Sequence, residues 1–299
     1  MKPLLLPLPG NEEIGERLAD RIGAERGQPT VRRFPDAESY VRLDRTVAGR
    51  SIVLVCTLDR PDDKLLPLLF TAAAARELGA ARVGLVAPYL AYMRQDHRFQ
   101  EGEAVTSVYF AALIAGAVDW LVTVDPHLHR ISSLNEIYSI DARVVRAAPM
   151  VAEWIAARVE RPVLVGPDAE SAQWVSAVAA DAGSPFMVLE KVRRGDRDVE
   201  ISMPEVSRWS GHTPVLVDDI VSTARTMIET VRHLRRAGLR PPVCVGVHAI
   251  FAGAAYQDLL AAGAASVVTC NTIPHPSNAI DLTGAIADGV RGALLPPGS

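Results

Sequence analysis

Short runs of apolar, often β-branched residues recur along the chain: SIVLVCT (51–57), ARVGLVAP (81–88), WLVTVDP (120–126), RPVLVGP (161–167), SPFMVLE (184–190), TPVLVDD (213–219), PPVCVGVHAIF (241–251) and ASVVTC (265–270). Continuous apolar runs bounded by Gly, Pro or Asp are what strands buried on both faces look like. Between them lie Ala- and Leu-rich stretches at 64–80, 107–119, 169–183 and 223–238, which read as helices, several closing on a Gly that marks a stop. The alternation predicts an α/β fold: mainly parallel sheets flanked by helices, with ligands at the carboxyl ends of the strands.

The two halves echo each other. GRSIVLVCTL from Gly49 lines up with GHTPVLVDDI from Gly211, and each is followed by a long helix ending in a Gly. ARVGLVAPYLAY corresponds to PPVCVGVHAIFAG, and AGAVDWLVTVD to AGAASVVTCN. A duplicated unit follows, with a boundary at Ala147 to Met150 and domains at 1–146 and 147–299. Where the second half carries Asp218 and Asp219 at its strand end, the first has Cys56 and Thr57. The fold does not demand paired carboxylates there, so they are candidates for chemistry.

Composition narrows the classes. The 299 residues are 49% hydrophobic and 22% charged, which excludes disordered, collagen-like and disulfide-scaffold chains. With 31 basic against 35 acidic residues the net charge is -4, which argues against a coat for nucleic acid or anionic membrane, so any anionic ligand must be held by a local site. Cys56, Cys244 and Cys270 lack metal or disulfide spacing and read as small core residues of a reducing compartment. In MKPLLLPLPGNEE the apolar run is broken by Pro3, Pro7 and Pro9 and followed by Glu12 and Glu13, which is wrong for a signal peptide. No stretch reaches the ~18 apolar residues of a membrane helix. The expectation is a cytoplasmic protein.

The strongest local signal is VLVDDIVSTARTM (215–227). A buried strand delivers two carboxylates, and a turn with Ser222, Thr223 and Thr226 opens a helix that runs to about Ala237. Backbone N–H groups at a helix start suit a phosphate, and upstream carboxylates suit sugar hydroxyls or a bound metal. The same pattern also fits a simple Asp and Ser/Thr helix cap. KVRRGDRD (191–198) likewise reads either as a cationic loop that closes over phosphates or as a solvated hairpin turn.

Segment 215–227 resembles the phosphoribosyl-diphosphate loop shared by type I phosphoribosyltransferases and ribose-phosphate pyrophosphokinases. Five more segments resemble the second group: RRFPDAESYVRL (32–43), PYLAYMRQDHRFQEGEAVT (88–106), VTVDPHLH (122–129), GPDAES (166–171) and LEKVRRGDRDVEI (189–201). All six are in the family's order and cover the chain to about Ile273. The resemblance implies two tandem phosphoribosyltransferase-like domains that transfer a diphosphoryl group from ATP to ribose 5-phosphate. It implies ATP binding by Phe34, Asp36, Glu38, Arg94, Gln95 and Asp96, and catalysis by Lys191 and Arg193. Ribose 5-phosphate would meet Arg193, Asp218, Asp219, Ser222, Thr223, Ala224, Arg225 and Thr226. Mg²⁺ would be held by His127 and Asp168, with His129 the competing histidine. The implied ATP site is split between protomers of a homo-oligomer, a dimer or a hexamer, and archaeal-type features at Phe99 to Glu103 and in the 189–201 loop lean towards the dimer.

Read from the residues alone, Phe34 and Tyr40 also fit strand core, and Arg94 to Arg98 a turn ion-paired through Asp96. The four tryptophans read as packing, the terminal LLPPGS as a frayed tail, and His275 in NTIPHPSN has no assigned role. Three residues depart from the family. Ala37 stands where Gly is usual, a mild change if its φ is negative. Arg225 stands where the phosphate turn has Gly, so a cation either aids or blocks binding, and Ser222 replaces an Asp. Two rivals stay open: a type I phosphoribosyltransferase, and a non-catalytic regulatory paralogue kept alive by Arg225.

Overall fold

The computed structural model describes residues 1–128, 130–166, 171–194, 198–202 and 206–295, with the side chains of 173, 190–202 and 206–207 outside that description. It contains two compact units. In chain order the first comprises β1 (Leu4–Pro7), α1 (Glu12–Ile22), β2 (Glu25–Arg26), the ribbon strands β3 (Thr30–Arg33) and β4 (Ser39–Arg42), β5 (Ser51–Val55), α2 (Pro61–Glu77), β6 (Arg82–Ala87), α3 (Thr106–Ala117), β7 (Trp120–Val124) and β8 (Asp141–Val145). The second comprises α4 (Ala148–Arg158), β9 (Pro162–Gly166), α5 (Ala172–Ala182), β10 (Phe186–Val188), the ribbon strands β11 (Glu190–Arg194) and β12 (Asp198–Ser202), β13 (Thr213–Val221), α6 (Arg225–Arg236), β14 (Val243–Ala249), α7 (Ala255–Ala261), β15 (Ser266–Cys270) and β16 (Asn278–Ile280). The final helix, α8 (Thr283–Leu294), returns to the first unit.

Both main sheets are parallel throughout, in the orders β2-β1-β5-β6-β7-β8 and β10-β9-β13-β14-β15-β16. The duplication is therefore complete at the level of topology. Each unit also inserts an antiparallel ribbon between its edge strand and its third strand: β3–β4 in one, β11–β12 in the other. The internal comparison of the sequence had not reached the ribbons.

Every apolar run read as a strand forms one, because residues such as Ile52 to Val55 and Val215 to Val217 are fully enclosed between two helix layers. Burying a Val or Leu in this way contributes about 1.5–3 kcal/mol per side chain, which is why apolar residues dominate the strand interiors. Trp120 packs as expected, fully buried across its strand partner Gly84, where an added Cβ would fall 1.8 Å from the indole. The three cysteines are buried and free, and burial pushes the Cys56 thiol up to about 12. Gly79, Gly183 and Gly238 close helices at φ 89°, 59° and 80°, the left-handed stop that the sequence signals.

Two features differ from the sequence expectation. Leu4–Pro7 forms an inner strand despite its flanking prolines, since Pro7 is the last strand residue and interrupts little of the ladder. A single cut after residue 146 also does not describe the chain, because Thr272–Pro274 and everything from Leu282 onward pack with the first sheet. Gly289 lets α8 lie close on that sheet: a Cβ there would sit 3.1 Å from Val122 and 3.3 Å from Val145. Among the described residues, no helix is long and apolar enough to cross a membrane.

Candidate functional site

In the second unit β13 outruns its neighbour. It pairs with β9 only through Leu216, yet continues along β14 to Val221, so Asp218 and Asp219 stand beyond the end of β9 at the carboxyl edge of the sheet. Each carboxylate first accepts a local N–H: Asp219 N donates to Asp218 Oδ1 at 3.0 Å, and Ile220 N to Asp219 Oδ1 at 2.8 Å. The second oxygen of each is turned to other partners or solvent by this arrangement, and both side chains are half-buried.

The turn Ser222 to Ala224 then leads into α6. Ala224 sits at φ 55°, ψ 13°, and no side chain caps the helix. Its first turn carries no acidic residue, while its last carries His233, Arg235 and Arg236, so the helix dipole is complemented at the carboxyl end and left to an anion at the amino end. In the family's phosphate turn the Gly stands at the position of Arg225. The structure moves the positive φ one residue back: Ala224 takes the left-handed backbone, and Arg225 is an ordinary, exposed first helical residue. Ala224 holds this left-handed backbone at a cost in strain of ~1–2 kcal/mol.

In the first unit the corresponding segments are also strained. Among the described residues, six other than Gly have positive φ: Ala37, Tyr92, Asp125, His127, Arg161 and Ala224. All but Arg161 lie in segments singled out as functional. Such strain persists only where the surrounding structure holds it, and it concentrates at binding sites. His127 follows β7 at φ 53°, with its N–H donating to Asp125 O at 2.9 Å, so the side chain leaves the strand end through a tight turn.

The 92–103 loop is built around Asp96. Its carboxylate side chain is 4% exposed, lies 2.9 Å from His97 Nδ1 and accepts from Arg130 at 3.2 Å. Burial works to raise this carboxyl, but the His97 hydrogen bond and the Arg130 charge outweigh it and hold it below the ordinary value. Asp96 is thus paired with His97 and Arg130, not with Arg94. Gln95 Oε1 accepts from Thr106 at 3.3 Å at the start of α3, and Arg94 is exposed. Arg130 also covers the Phe99 ring at 5.6 Å, a role sequence reasoning missed because the pairing spans 34 positions.

The β3–β4 ribbon presents Phe34, Asp36 and Glu38 at its tip, all exposed, with Phe34 at 40%. Phe34 N donates to Glu38 O at 2.8 Å and Ala37 N to Phe34 O at 2.9 Å. Ala37 closes the turn at φ 72°, so the condition for a mild Gly replacement is not met. Phe34 is edge-on to Tyr40 at 6.0 Å, and the Arg32 guanidinium lies over both rings at 4.7 and 4.3 Å. Phe34 is therefore not core: it is a surface aromatic with a cation on its face. Arg32 was missed, although it opens the quoted motif.

Asp168 and His129 lie outside the described residues, as do the side chains of Lys191 and Arg193, whose backbone forms β11. Among the described residues no three His, Cys, Asp or Glu side chains gather as a metal cage.

Two family models match the chain: the N-terminal domain of ribose phosphate pyrophosphokinase over residues 4–117, and the phosphoribosyl transferase domain over 133–283. A ribose-phosphate pyrophosphokinase from Methanopyrus kandleri is 34% identical over 282 residues, 93% of this chain and 95% of the relative. One from Sulfurisphaera tokodaii is 33% identical, covering 85% and 88%. The crystal structure of phosphoribosylpyrophosphate synthetase from Mycobacterium smegmatis superposes with a TM-score of 0.85 at 23% identity, covering 98% of this chain and 99% of that one, which establishes the fold.

Proposed function

The chain belongs to the ribose-phosphate pyrophosphokinase family, and from that premise we propose that it transfers the β,γ-diphosphoryl group of ATP to the C1 hydroxyl of ribose 5-phosphate, giving 5-phosphoribosyl 1-diphosphate and AMP. One observation carries the reading. The end of β13 offers two carboxylates and then an uncapped, acid-free helix start, the donor set for a sugar phosphate.

The 5-phosphate sits on the Ser222–Thr226 turn, with Arg225 adding a cation at its rim, and the ribose hydroxyls donate to Asp218 and Asp219. The C1 oxygen attacks the β-phosphorus in line; the new C1–O–P link forms as the bond to the α-phosphate oxygen breaks, AMP leaves, and the hydroxyl proton passes to solvent. Lys191 and Arg193, on the β11 ribbon, neutralise the charge that spreads over the transferring group.

Phe34 stacks on the adenine, with Asp36 and Glu38 accepting from its amino group or ribose, and Arg94 and Gln95 meet the phosphates and base edge. Asp96 acts one step removed, as the anchor of that loop through His97 and Arg130. A Mg²⁺ ion held mostly by phosphate oxygens and water needs only one or two protein ligands, which the lack of a three-residue cage among the described residues does not contradict. His127 and Asp168 would hold it, and it would offset charge on the ATP phosphates. An exposed Phe34 on a projecting ribbon suits a homo-oligomer, dimer or hexamer, in which one copy completes the nucleotide site of another. Arg225, the residue that favoured a silent paralogue, takes regular helical backbone and gives that rival no support.

The test is release of AMP from ATP by the purified chain. It is expected only when both ribose 5-phosphate and Mg²⁺ are present. AMP formed at an equal rate without the sugar, or pyrophosphate released from 5-phosphoribosyl 1-diphosphate on adding a free nucleobase, would overturn the assignment.

A further inference from the structure

His275, for which the sequence suggested no role, belongs to a three-ring cluster in the second unit. Its ring lies 4.7 Å from Phe251 and 5.0 Å from Tyr256, and those two lie 5.5 Å apart, all in tilted or edge contacts. Phe251 follows β14, and Tyr256 is in the first turn of α7. The imidazole is fixed from below. Its Nδ1 is 2.7 Å from Ser277 Oγ and accepts the Ser277 N–H at 3.2 Å. Ser277 Oγ is 2.8 Å from Thr269 Oγ1 on β15. Asn278 closes the scaffold: its Oδ1 accepts the His275 N–H at 3.0 Å, and its amide donates to Thr269 Oγ1 and Cys270 O at 2.9 and 2.8 Å. An Nδ1 that accepts a backbone N–H belongs to a neutral ring with its proton on Nε2, and partial burial favours that neutral form.

This scaffold reaches the phosphate turn through one hydrogen bond. Ala252, next to Phe251, donates its N–H to Ser222 O at 3.2 Å. Phe251 and Tyr256 also pack against the buried cluster that contains Val221, Ala224 and Met227, the residues on both sides of the turn. The turn holds a strained Ala and its helix has no side-chain cap, so its position depends on what braces it from outside.

We propose that Phe251, Tyr256 and His275 are positioning residues for the sugar-phosphate site: the three rings wedge the 251–252 loop so that the Ala252 N–H holds the Ser222 carbonyl, and this sets the approach of the turn to the 5-phosphate. The inference rests on the reading of that turn as the ribose 5-phosphate site. Because the rings brace the turn that is read as the sugar-phosphate site, their loss is expected to act on the sugar phosphate.

His275→Asn keeps an acceptor for Ser277 and removes the ring; His275→Phe keeps the ring and removes the acceptor; Phe251→Leu removes the stacking partner. The full chain carrying each is compared with wild type for kcat, for KM of both substrates in AMP release, and for melting temperature. His275→Asn and Phe251→Leu are expected to raise KM for ribose 5-phosphate about tenfold and leave KM for MgATP within about twofold, with His275→Phe close to wild type. Unchanged ribose 5-phosphate KM in folded His275→Asn and Phe251→Leu, or a parallel rise in both KM values, overturns the wedge. Calorimetry with ribose 5-phosphate alone separates the two readings. If the wild type binds the sugar about tenfold more tightly than His275→Asn but releases no AMP, the wedge stands and the transfer reaction falls. If AMP is released and the variants bind like wild type, the wedge alone falls.

Discussion

The two strand-to-helix junctions at the third strand of each sheet occupy the same place in a duplicated frame and have opposite fates. At the end of β5 the polar groups are consumed internally. Thr57 N–H donates to the buried Asn11 Oδ1 at 2.7 Å, its hydroxyl to Thr272 O at 2.7 Å, and its carbonyl accepts from Lys64 at 3.0 Å, while Lys64 pairs with Asp59. The helix that follows starts on Pro61 with Asp62 and Asp63 in its first turn, which already complements its dipole. The end of β13 has carboxylates, hydroxyls, a left-handed Ala and a helix start with neither acid nor cap. One junction is closed by its own protein; the other is the one we propose receives the sugar phosphate. A fold that builds the same junction twice can still carry different chemistry at each, because the residues at the strand end decide it.

The ribbons diverge in the same way, one tipped with Phe34, Asp36 and Glu38, the other carrying Lys191 and Arg193. Replacing Lys191 by Ala is expected to lower kcat for AMP release by about three orders of magnitude, the upper range for one charge-stabilising donor, with little change in melting temperature. Asp219→Asn should cut kcat/KM for ribose 5-phosphate about 100-fold, as loss of a charged hydrogen bond on the sugar does, while KM for MgATP stays put. The closed junction responds in stability instead: Asn11→Ala leaves the buried Thr57 N–H unpaired and is expected to cost about 2 kcal/mol in denaturant melts, with undiminished activity per folded molecule. Arg225→Glu gives α6 the acidic first turn of α2, and about tenfold weaker ribose 5-phosphate binding by calorimetry is the expected result. The smallest effect belongs to Ala224→Gly. Relief of ~1–2 kcal/mol of strain against ~0.4–1 kcal/mol of added unfolded-chain entropy leaves a gain of at most about 1.6 kcal/mol, visible as a raised melting temperature. If that variant is instead less stable, the turn is not strained at Ala224.

Much of this frame was legible in the sequence, because two-sided burial writes continuous apolar runs and those runs repeat in the same order. β1 was hidden by its prolines. β8, with the pattern DARVV, and the three-residue β16 lie at sheet edges, where half-exposed sequences lose the signal. The ribbons read as motifs, not as repeats of one another, since their sequences share no apolar pattern. At the site, the motif marks the turn but not which residue bears the positive φ, a property of the backbone that falls on Ala224 and not on Arg225. The Asp96–Arg130 pair and the Ala252–Ser222 bond are long-range contacts, and local spacing is silent about those.

The return of α8 to the first unit has a consequence for biogenesis. Its buried face of Ile286, Ala287, Val290 and Ala293 covers the first sheet, and Arg82 donates to Ala293 O at 2.8 Å. As the nascent polypeptide leaves the ribosome, the domain translated first cannot close its core until α8 has been made, whereas the one translated second already holds its whole sheet by residue 281. Maturation therefore runs against the direction of translation, and the early half waits, with an open hydrophobic face, for a helix encoded after the whole of the second sheet.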